Sequence, residues 1–326
     1  MHGLIPSNAS AVQPAPIAIY SFVDKLQVWL QQPLRKSDPA RLRKHCGSLR
    51  TWNERAGFNP LFRQRLQLCQ PTPETLQMIA ECGDVHMNYI EVALDWIFDN
   101  DFECDDALAF LDRYHVKKYH RDQGIRWHKR TRYTGPRRAP TVLAAYADKE
   151  CKLTGETACC HLDWRIRGSA ALKRAAIATA TDLLNLDYRE FWRERLLLFA
   201  LDLRDLGRRH FNYINGTKRR RSWISVYYRL RYDHDKATGA IVFNVFDRST
   251  QKVLDYFGSK FHVRDCLIPL DVEHLLPSTC ERPYYDLSNN LPSTPKSLLP
   301  SRRSLLGTHL NKPHRGFCLT RASFSK

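Results

Sequence analysis

Tyr146 is followed closely by Asp148, Lys149 and Glu150, and a further carboxylate, Asp163, lies in a segment of alternating polar and apolar residues. A tyrosine hydroxyl beside a proton acceptor and a divalent ion can attack a phosphodiester and hold one end of the cut strand as an ester. An unperturbed phenol titrates near ~10, so it needs help to attack at neutral pH. Lys149 or a divalent ion could stabilise the phenolate, and Glu150 could accept the proton or hold the metal. The small residues Ala144, Ala145 and Ala147 leave room for a bulky substrate at the hydroxyl. The plainer reading is a structural tyrosine, because aromatic residues suit strands generally.

The carboxylates that would hold such an ion lie on two segments. In residues 86–98, Val92, Leu94, Trp96 and Phe98 fall on one face of a strand, and Glu91, Ala93 and Asp95 on the other. One apolar face implies a sheet packed on helices with its second face open. At about 3.3 Å per residue, Glu91 and Asp95 are roughly 13 Å apart, so at most one of them grips a given ion directly. Residues 161–167 repeat the pattern, Leu162, Trp164 and Ile166 alternating with His161, Asp163, Arg165 and Arg167. Glu91, Asp95 and Asp163 are therefore the metal candidates, and such oxygen ligands suit Mg²⁺ or Mn²⁺. The alternatives are solvated carboxylates and an Asp163–Arg ion pair on an exposed sheet.

Residues 115–138 carry Lys117, Lys118, Arg121, Arg126, Lys129, Arg130, Arg132, Arg137 and Arg138 against one acid, Asp122, with Tyr119, Trp127 and Tyr133 interleaved. Cations track phosphates and aromatic faces stack on unpaired bases. Lys117, Lys118, Arg126, Trp127, Lys129, Arg130, Arg132, Arg137 and Arg138 are thus the nucleic-acid candidates. The segment alone does not separate DNA from RNA. A second basic cluster, Lys218 to Arg221, is flanked by Arg208, Arg209 and Trp223. Over the 326 residues, 51 Lys and Arg oppose 34 Asp and Glu, a net charge of +17 that favours a polyanionic partner. No run approaches ~18 apolar residues, and the first residues lack the basic start and apolar core of a signal peptide. The expectation is a cytoplasmic protein with nucleic acid, not membrane, as its partner. Ten cysteines are scattered without a Cys-x-x-Cys spacing, so they read as small core residues rather than zinc ligands.

These residues need a scaffold. Alternation predicts strands over 20–30, 63–68, 86–98, 131–133, 142–148 and 161–167, and helices over 38–46, 71–80 and 105–116. A helical period runs from 169 to about 209, strand-like composition returns over 224–261, and Pro, Ser and Arg dominate beyond 287. The organisation expected is a disordered lead-in over 1–17, an α+β domain over 18–168, a helical and mixed section over 169–275, and a flexible basic tail over 276–326. The fold class is α+β, an open antiparallel sheet with helices packed on one face.

Together these motifs resemble the replication-initiation-factor family, the rolling-circle replication initiators of plasmids and filamentous phages. Its acidic strand ending in Ala-Leu-Asp is matched by Glu91-Val-Ala-Leu-Asp95, and its Gly-Ser-Arg-type turn loosely by Gly135-Pro-Arg-Arg138. Its Tyr-x-Lys-x-x-Glu strand is answered by Tyr146-Ala-Asp-Lys149-Glu150, and its Arg-Leu-Glu-type strand by His161-Leu-Asp163-Trp-Arg165. The order agrees over about residues 20–200. Lysine follows the tyrosine by three positions instead of two, Asp163 replaces a glutamate, and no His-hydrophobic-His motif occurs, so carboxylates would dominate the metal site. The resemblance implies nicking of one strand at a replication origin, single-stranded at the nick, with Tyr146 taking a 5′-phosphotyrosine and leaving a free 3′-OH. Mg²⁺ or Mn²⁺ would be the cofactor, and host helicase and polymerase the further partners. The competing readings are a non-catalytic DNA-binding regulator of a plasmid or phage, and a tyrosine recombinase.

Overall fold

The structure is a computed structural model, and it describes residues 13–53, 61–116, 125–136, 138–202, 263–278 and the short stretches 205–206, 209, 232–234, 241–243 and 250–257. Lys117, Lys118, Arg137, the cluster at 218–221 and the expected basic tail beyond 278 lie outside the described residues.

The molecule is organised by one eight-stranded sheet. Its strands are β1 (Ala18–Leu30), β2 (Cys46–Asn53), β3 (Gln64–Pro71), β4 (Val85–Ile97), β5 (Ile125–His128), β6 (Thr131–Thr134), β7 (Thr141–Tyr146) and β8 (Cys159–Arg167). They run in the order β2-β3-β1-β4-β8-β7-β6-β5, every neighbouring pair antiparallel. The open antiparallel sheet and the α+β class are as expected. Alternation missed two edge strands, β5 and β2. β2 shows why. It lies at the sheet edge, most of its residues are exposed or half-exposed, and Gly47 and Ser48 give it no apolar rhythm.

One face of the sheet carries the core. Leu26, Ile90, Val92, Leu94, Trp96, Leu143, Leu162, Trp164 and Ile166 pack with residues from the helices, and each buried Leu or Ile contributes about 1.5–3 kcal/mol. The helices are α1 (Asp38–Arg43), α2 (Pro73–Glu81), α3 (Asp101–Tyr114), α4 (Ser169–Arg174), α5 (Ala180–Leu184) and α6 (Tyr188–Arg193). Local chemistry sets their starts. Thr72 caps α2 ahead of a proline, Asn100 caps α3 by accepting from the Glu103 amide, and Thr179 with Asp182 forms a capping box on α5.

Over its described residues 169–193, the expected helical stretch is broken into three short helices. Ala176 turns the chain out of α4 with φ of 56°, and new caps at Thr179 and Asp187 restart it. A strand at Phe199–Leu201 follows and pairs with Leu267–Pro269. These later elements share the core of the sheet. Trp192 Nε1 donates to Ser21 Oγ at 2.9 Å, and Trp96 Nε1 to the Leu275 carbonyl at 3.0 Å. Of the strand-like stretch 224–261, the described parts are short strands at Tyr232–His234 and Ile241–Phe243 and a helix at Thr250–Phe257.

Candidate functional site

The face opposite the helices is polar, as alternation requires, but it is not open. The segment between β7 and β8, residues 147–158, lies across it as a strap. Lys152 Nζ donates to Asp24, Cys151 Sγ to Asp95 Oδ2 at 3.3 Å, and His161 Nε2 lies 3.0 Å from the carbonyls of both Lys149 and Glu150.

Under the strap the register assembles a carboxylate cluster. In the β4–β8 ladder, Ala93 faces Asp163 and Glu91 faces Arg165, so both acids point to the polar face. On β1, Val23 pairs with Val92 and Lys25 with Glu91, leaving Asp24 as a bulged residue. A bulge re-aims a side chain, and here it turns Asp24 toward Glu91 and Asp163. One oxygen from each of Asp24, Glu91 and Asp163 lies within 4.8 Å of the others, and all three residues are buried. Sequence alternation missed Asp24, although the successive polar pair Asp24-Lys25 inside an apolar strand is the mark of a bulge.

Three cations face the three acids. Lys25 Nζ donates to Glu91 Oε2 at 2.9 Å, Arg165 Nη2 to Asp163 Oδ2 at 3.1 Å, and Lys152 to Asp24. Asp163 is nevertheless frustrated. Burial, then the nearby Asp24 and Glu91 carboxylates, push its pKa up to about 6. For Asp24, burial raises the pKa, but Lys152 and the amide of Gln70 outweigh it and hold the carboxyl below its ordinary range. Asp163 Oδ1 is buried with no hydrogen-bond partner. Three converging oxygens, one of them unpaired, fit a hard divalent cation.

Tyr146 reaches this cluster. Its hydroxyl donates to Asp163 Oδ2 at 3.2 Å and its ring stacks on His161 with centroids 4.8 Å apart. It is 4% exposed, and burial followed by the Asp163 charge pushes its phenol well above the ordinary tyrosine range. Lys149, exposed, has its Nζ 4.9 Å from the centre of the ring. The expectation that the Glu150 carboxylate joins the site is corrected. Its side chain is exposed, and what Glu150 offers inward is its backbone carbonyl to His161.

Asp95 is corrected as a partner of Asp163. It lies opposite His161 in the ladder, accepts from His161 Nδ1 at 2.8 Å, and groups with Cys159 and His161 as a second set of potential ligands. A further group escaped sequence reading. Tyr89, half-buried, donates its hydroxyl to Glu91, and with Lys25, Glu91, Asn88 and Arg167 it lines a groove of about 480 Å³ beside the carboxylates.

The basic residues divide. Trp127 is 48% exposed, and with Lys129, Arg130, Arg113, Asp105 and Leu108 it lines a groove of about 600 Å³ between α3 and the β5–β6 hairpin. Arg130 pairs with Asp105 at 3.0 Å on the surface, Arg126 stacks 4.2 Å over Tyr133, and Arg138 is exposed. Arg132, expected to meet phosphate, is instead fully buried. Alternation along β6 turns it inward with Thr134, where its Nε donates to Asp112 at 2.8 Å and its Nη1 to Thr134 Oγ1 at 2.6 Å.

No protein-family model matches this chain, and no curated protein matches it. Among solved structures, the rolling circle replication initiator protein from Geobacillus stearothermophilus is similar over 52% of this chain and 80% of its own, with 13% identity and a TM-score of 0.33. No helix among the described residues is long and apolar enough to cross a membrane.

Proposed function

We propose that this protein initiates rolling-circle replication by nicking one DNA strand at an origin through a tyrosine. The observation that carries this reading is the convergence of Asp24, Glu91 and Asp163, with an unpaired Asp163 Oδ1 and the Tyr146 hydroxyl on its other oxygen. Asp24, Glu91 and Asp163 would hold Mg²⁺ or Mn²⁺, which supplies polarisation of the phosphate and charge stabilisation at the developing oxyanion.

In this mechanism Asp163 Oδ2, already the acceptor of the Tyr146 hydroxyl, takes the phenolic proton. The phenolic oxygen attacks phosphorus, the bond to the 3′-oxygen breaks, and that oxygen leaves as a 3′-OH after protonation. The 5′-phosphate stays on Tyr146 as an ester, so rejoining is the same step reversed. Lys25 and Arg167, on the groove beside Glu91, provide cations for the flanking phosphates. Tyr146 is buried under the β7 end of the strap, so substrate entry requires residues 147–150 to move aside.

The test is a covalent adduct on denaturing gels after incubation with Mn²⁺ and single-stranded origin oligonucleotides. Tyr146→Phe should bind DNA and form no adduct. Tyr20, Tyr89 and Tyr133 also lie on this face. An adduct that persists in Tyr146→Phe and disappears in Tyr89→Phe or Tyr133→Phe would move the nucleophile, and no adduct in any protein would favour the non-catalytic DNA-binding regulator. That second reading has an observation of its own, the burial of Tyr146 and the raised pKa of its phenol.

DNA binding is proposed for the hairpin surface of Trp127, Lys129 and Arg130, with Arg126 and Arg138 beside it. Replacing Lys129 and Arg130 together with alanine should lower the slope of log K against log salt by roughly 1–2. Trp127→Ala should weaken single-stranded binding by about 1–3 kcal/mol if a base stacks there. Arg132→Ala should instead cost fold stability, because Asp112 loses the partner that accompanies it.

A further inference from the structure

The second cluster on this sheet face is not used by the nicking reading. Cys159 and His161 are two apart on β8 and so project to the same side, and Asp95 is brought opposite His161 by the β4–β8 register. One donor atom from each of Asp95, Cys159 and His161 lies within 4.8 Å of the other two, and the three residues are at most 1% exposed. A fourth candidate donor, next to that group of three, is on the strap. Cys151, 1% exposed, has its Sγ 3.3 Å from Asp95 Oδ2 and packs with Cys159 in one buried cluster.

The imidazole is already oriented as a ligand's would be. Its Nε2 lies 3.0 Å from two backbone carbonyls, which only accept, so that nitrogen carries a hydrogen. The other nitrogen, Nδ1, points at Asp95 Oδ1 at 2.8 Å, within the group that His161 forms with Asp95 and Cys159. A histidine that binds metal through one nitrogen commonly donates from the other to a carbonyl. As it stands, a proton on Nδ1 fills the place that a cation would take between imidazole and carboxylate.

We propose that Cys151, Cys159, His161 Nδ1 and Asp95 form a structural zinc site that staples the strap to the sheet. Two sulfurs, one nitrogen and one carboxylate oxygen make a four-donor set suited to tetrahedral Zn²⁺ and unlike the all-oxygen set that Mg²⁺ prefers. On binding, both thiols and Nδ1 release their protons as the dication enters, so each ligand donates a free electron pair. The site goes beyond the nicking reading and does not depend on it. Its consequence is mechanical. Cys151 is adjacent to Lys152, the strap residue that occupies the carboxylate cluster, so a bound zinc would hold that lysine in place.

The experiment uses the full chain, purified without chelator. Zinc should be present in about equimolar amount by elemental analysis. Exchange to Co²⁺ should give a thiolate-to-metal charge-transfer band together with intense tetrahedral d–d absorption. Cys151→Ser and Cys159→Ser should each weaken zinc affinity by more than about tenfold and diminish the band. Cys69→Ser and Cys82→Ser, away from this cluster, should leave both unchanged, as should Asp163→Asn. If Cys159→Ser fails to fold, Cys151→Ser in the strap and the wild-type titration still decide. Absence of the thiolate band in wild-type protein saturated with Co²⁺ would overturn the proposal. So would loss of the band in Asp163→Asn, or a Cys151–Cys159 disulfide that zinc does not prevent.

Discussion

Two clusters of potential ligands sit side by side on one sheet face, share Tyr146 as a neighbour, and offer different donor atoms. Asp24, Glu91 and Asp163 offer only oxygens, are met by Lys25, Lys152 and Arg165, and leave Asp163 Oδ1 unpaired. Asp95, Cys159 and His161 offer oxygen, sulfur and nitrogen, and there the carboxylate and the imidazole satisfy each other. The difference follows from register. Where the acid lies opposite a small residue, as Asp163 does opposite Ala93 and Ala144, space and charge remain unfilled. Where it lies opposite histidine, as Asp95 does, the pair closes on itself. An unfilled, repulsive cluster suits a site that must accept a substrate's metal and release it; a closed one suits structure.

The largest separation between the two should come from activity. Asp163→Asn and Glu91→Gln are expected to reduce Mn²⁺-dependent nicking by at least about 100-fold, the scale on which metal sites respond to altered ligation. Cys151→Ser should reduce it far less, because it removes no group from the carboxylate cluster. Equal losses in the two variants would erase the functional distinction between the clusters. Nicking rates on a labelled single-stranded oligonucleotide measure this.

A smaller effect concerns the strap lysine. Lys152 Nζ pairs with Asp24 and supplies a positive charge where an ion would otherwise do so. Asp24 and Asp163 in turn hold the ammonium more firmly charged than burial alone would allow, burial being the largest influence and an opposing one. Lys152→Met should therefore destabilise the metal-free protein by about 1–2 kcal/mol, less than for a fully buried pair because the lysine is partly exposed. It should also tighten Mg²⁺ binding, and saturating Mg²⁺ should recover most of the lost stability. Calorimetric titration and thermal melts check both halves; unchanged Mg²⁺ affinity would mean that Lys152 does not compete for the site.

Much of this face was legible from the chain, and the part that was not has a physical reason. Period-two alternation in 86–98 and 161–167 put Glu91, Asp95, His161 and Asp163 on one face, and that parity holds in the ladder. Alternation carries no register, however, so nothing in the sequence said that Asp95 would meet His161 while Glu91 met Arg165. The estimate of roughly 13 Å between Glu91 and Asp95 did imply that the two would not share an ion, and they fall in different clusters. Asp24 was hidden because a bulge breaks the very rule used to assign faces. The pairing of Cys151 with Cys159 was hidden because an irregular strap brings them together, and their spacing matches no Cys-x-x-Cys template. Arg132 read as a phosphate contact because a charge run conceals which of its members alternation turns inward.

The pH dependence of stability should also separate two members of the carboxylate cluster. Asp163 has a folded-state pKa raised to about 6, so the folded protein holds that proton more tightly than the unfolded chain does. Its contribution to stability is therefore present below the ordinary aspartate range near ~4 and lost as pH rises through about 6. In chelator, Asp163→Asn should gain stability relative to wild type across that window, by on the order of 1–3 kcal/mol. Asp24 runs the other way. Its lowered pKa stabilises the fold above its ordinary range and is lost as pH falls below it. Denaturant melts at several pH values, with and without Mg²⁺, measure the difference; a gap between wild type and Asp163→Asn that does not widen with pH would mean that Asp163 is not under repulsion.

Tyr146 lies between the clusters, and the smallest predicted effect tests what it does there. Tyr146→Phe keeps the ring that stacks on His161 and removes only the hydroxyl that donates to Asp163 Oδ2. Arg165 Nη2 still reaches that oxygen, so the loss is one neutral donor to a partly satisfied carboxylate, about 1 kcal/mol in metal-free protein. A cation held by Asp163 compensates the same oxygen, so the penalty should shrink in Mg²⁺ or Mn²⁺. The proposed zinc site supplies the control, because the Tyr146 hydroxyl donates to Asp163 and the Co²⁺–thiolate band should not move. A structural tyrosine and a nucleophile predict the same small stability change, but only the nucleophile predicts that the covalent adduct vanishes with it. A penalty of several kcal/mol that metal does not relieve would instead make the hydroxyl a fixed strut between the two clusters, and would move the attacking oxygen to Tyr89 or Tyr133.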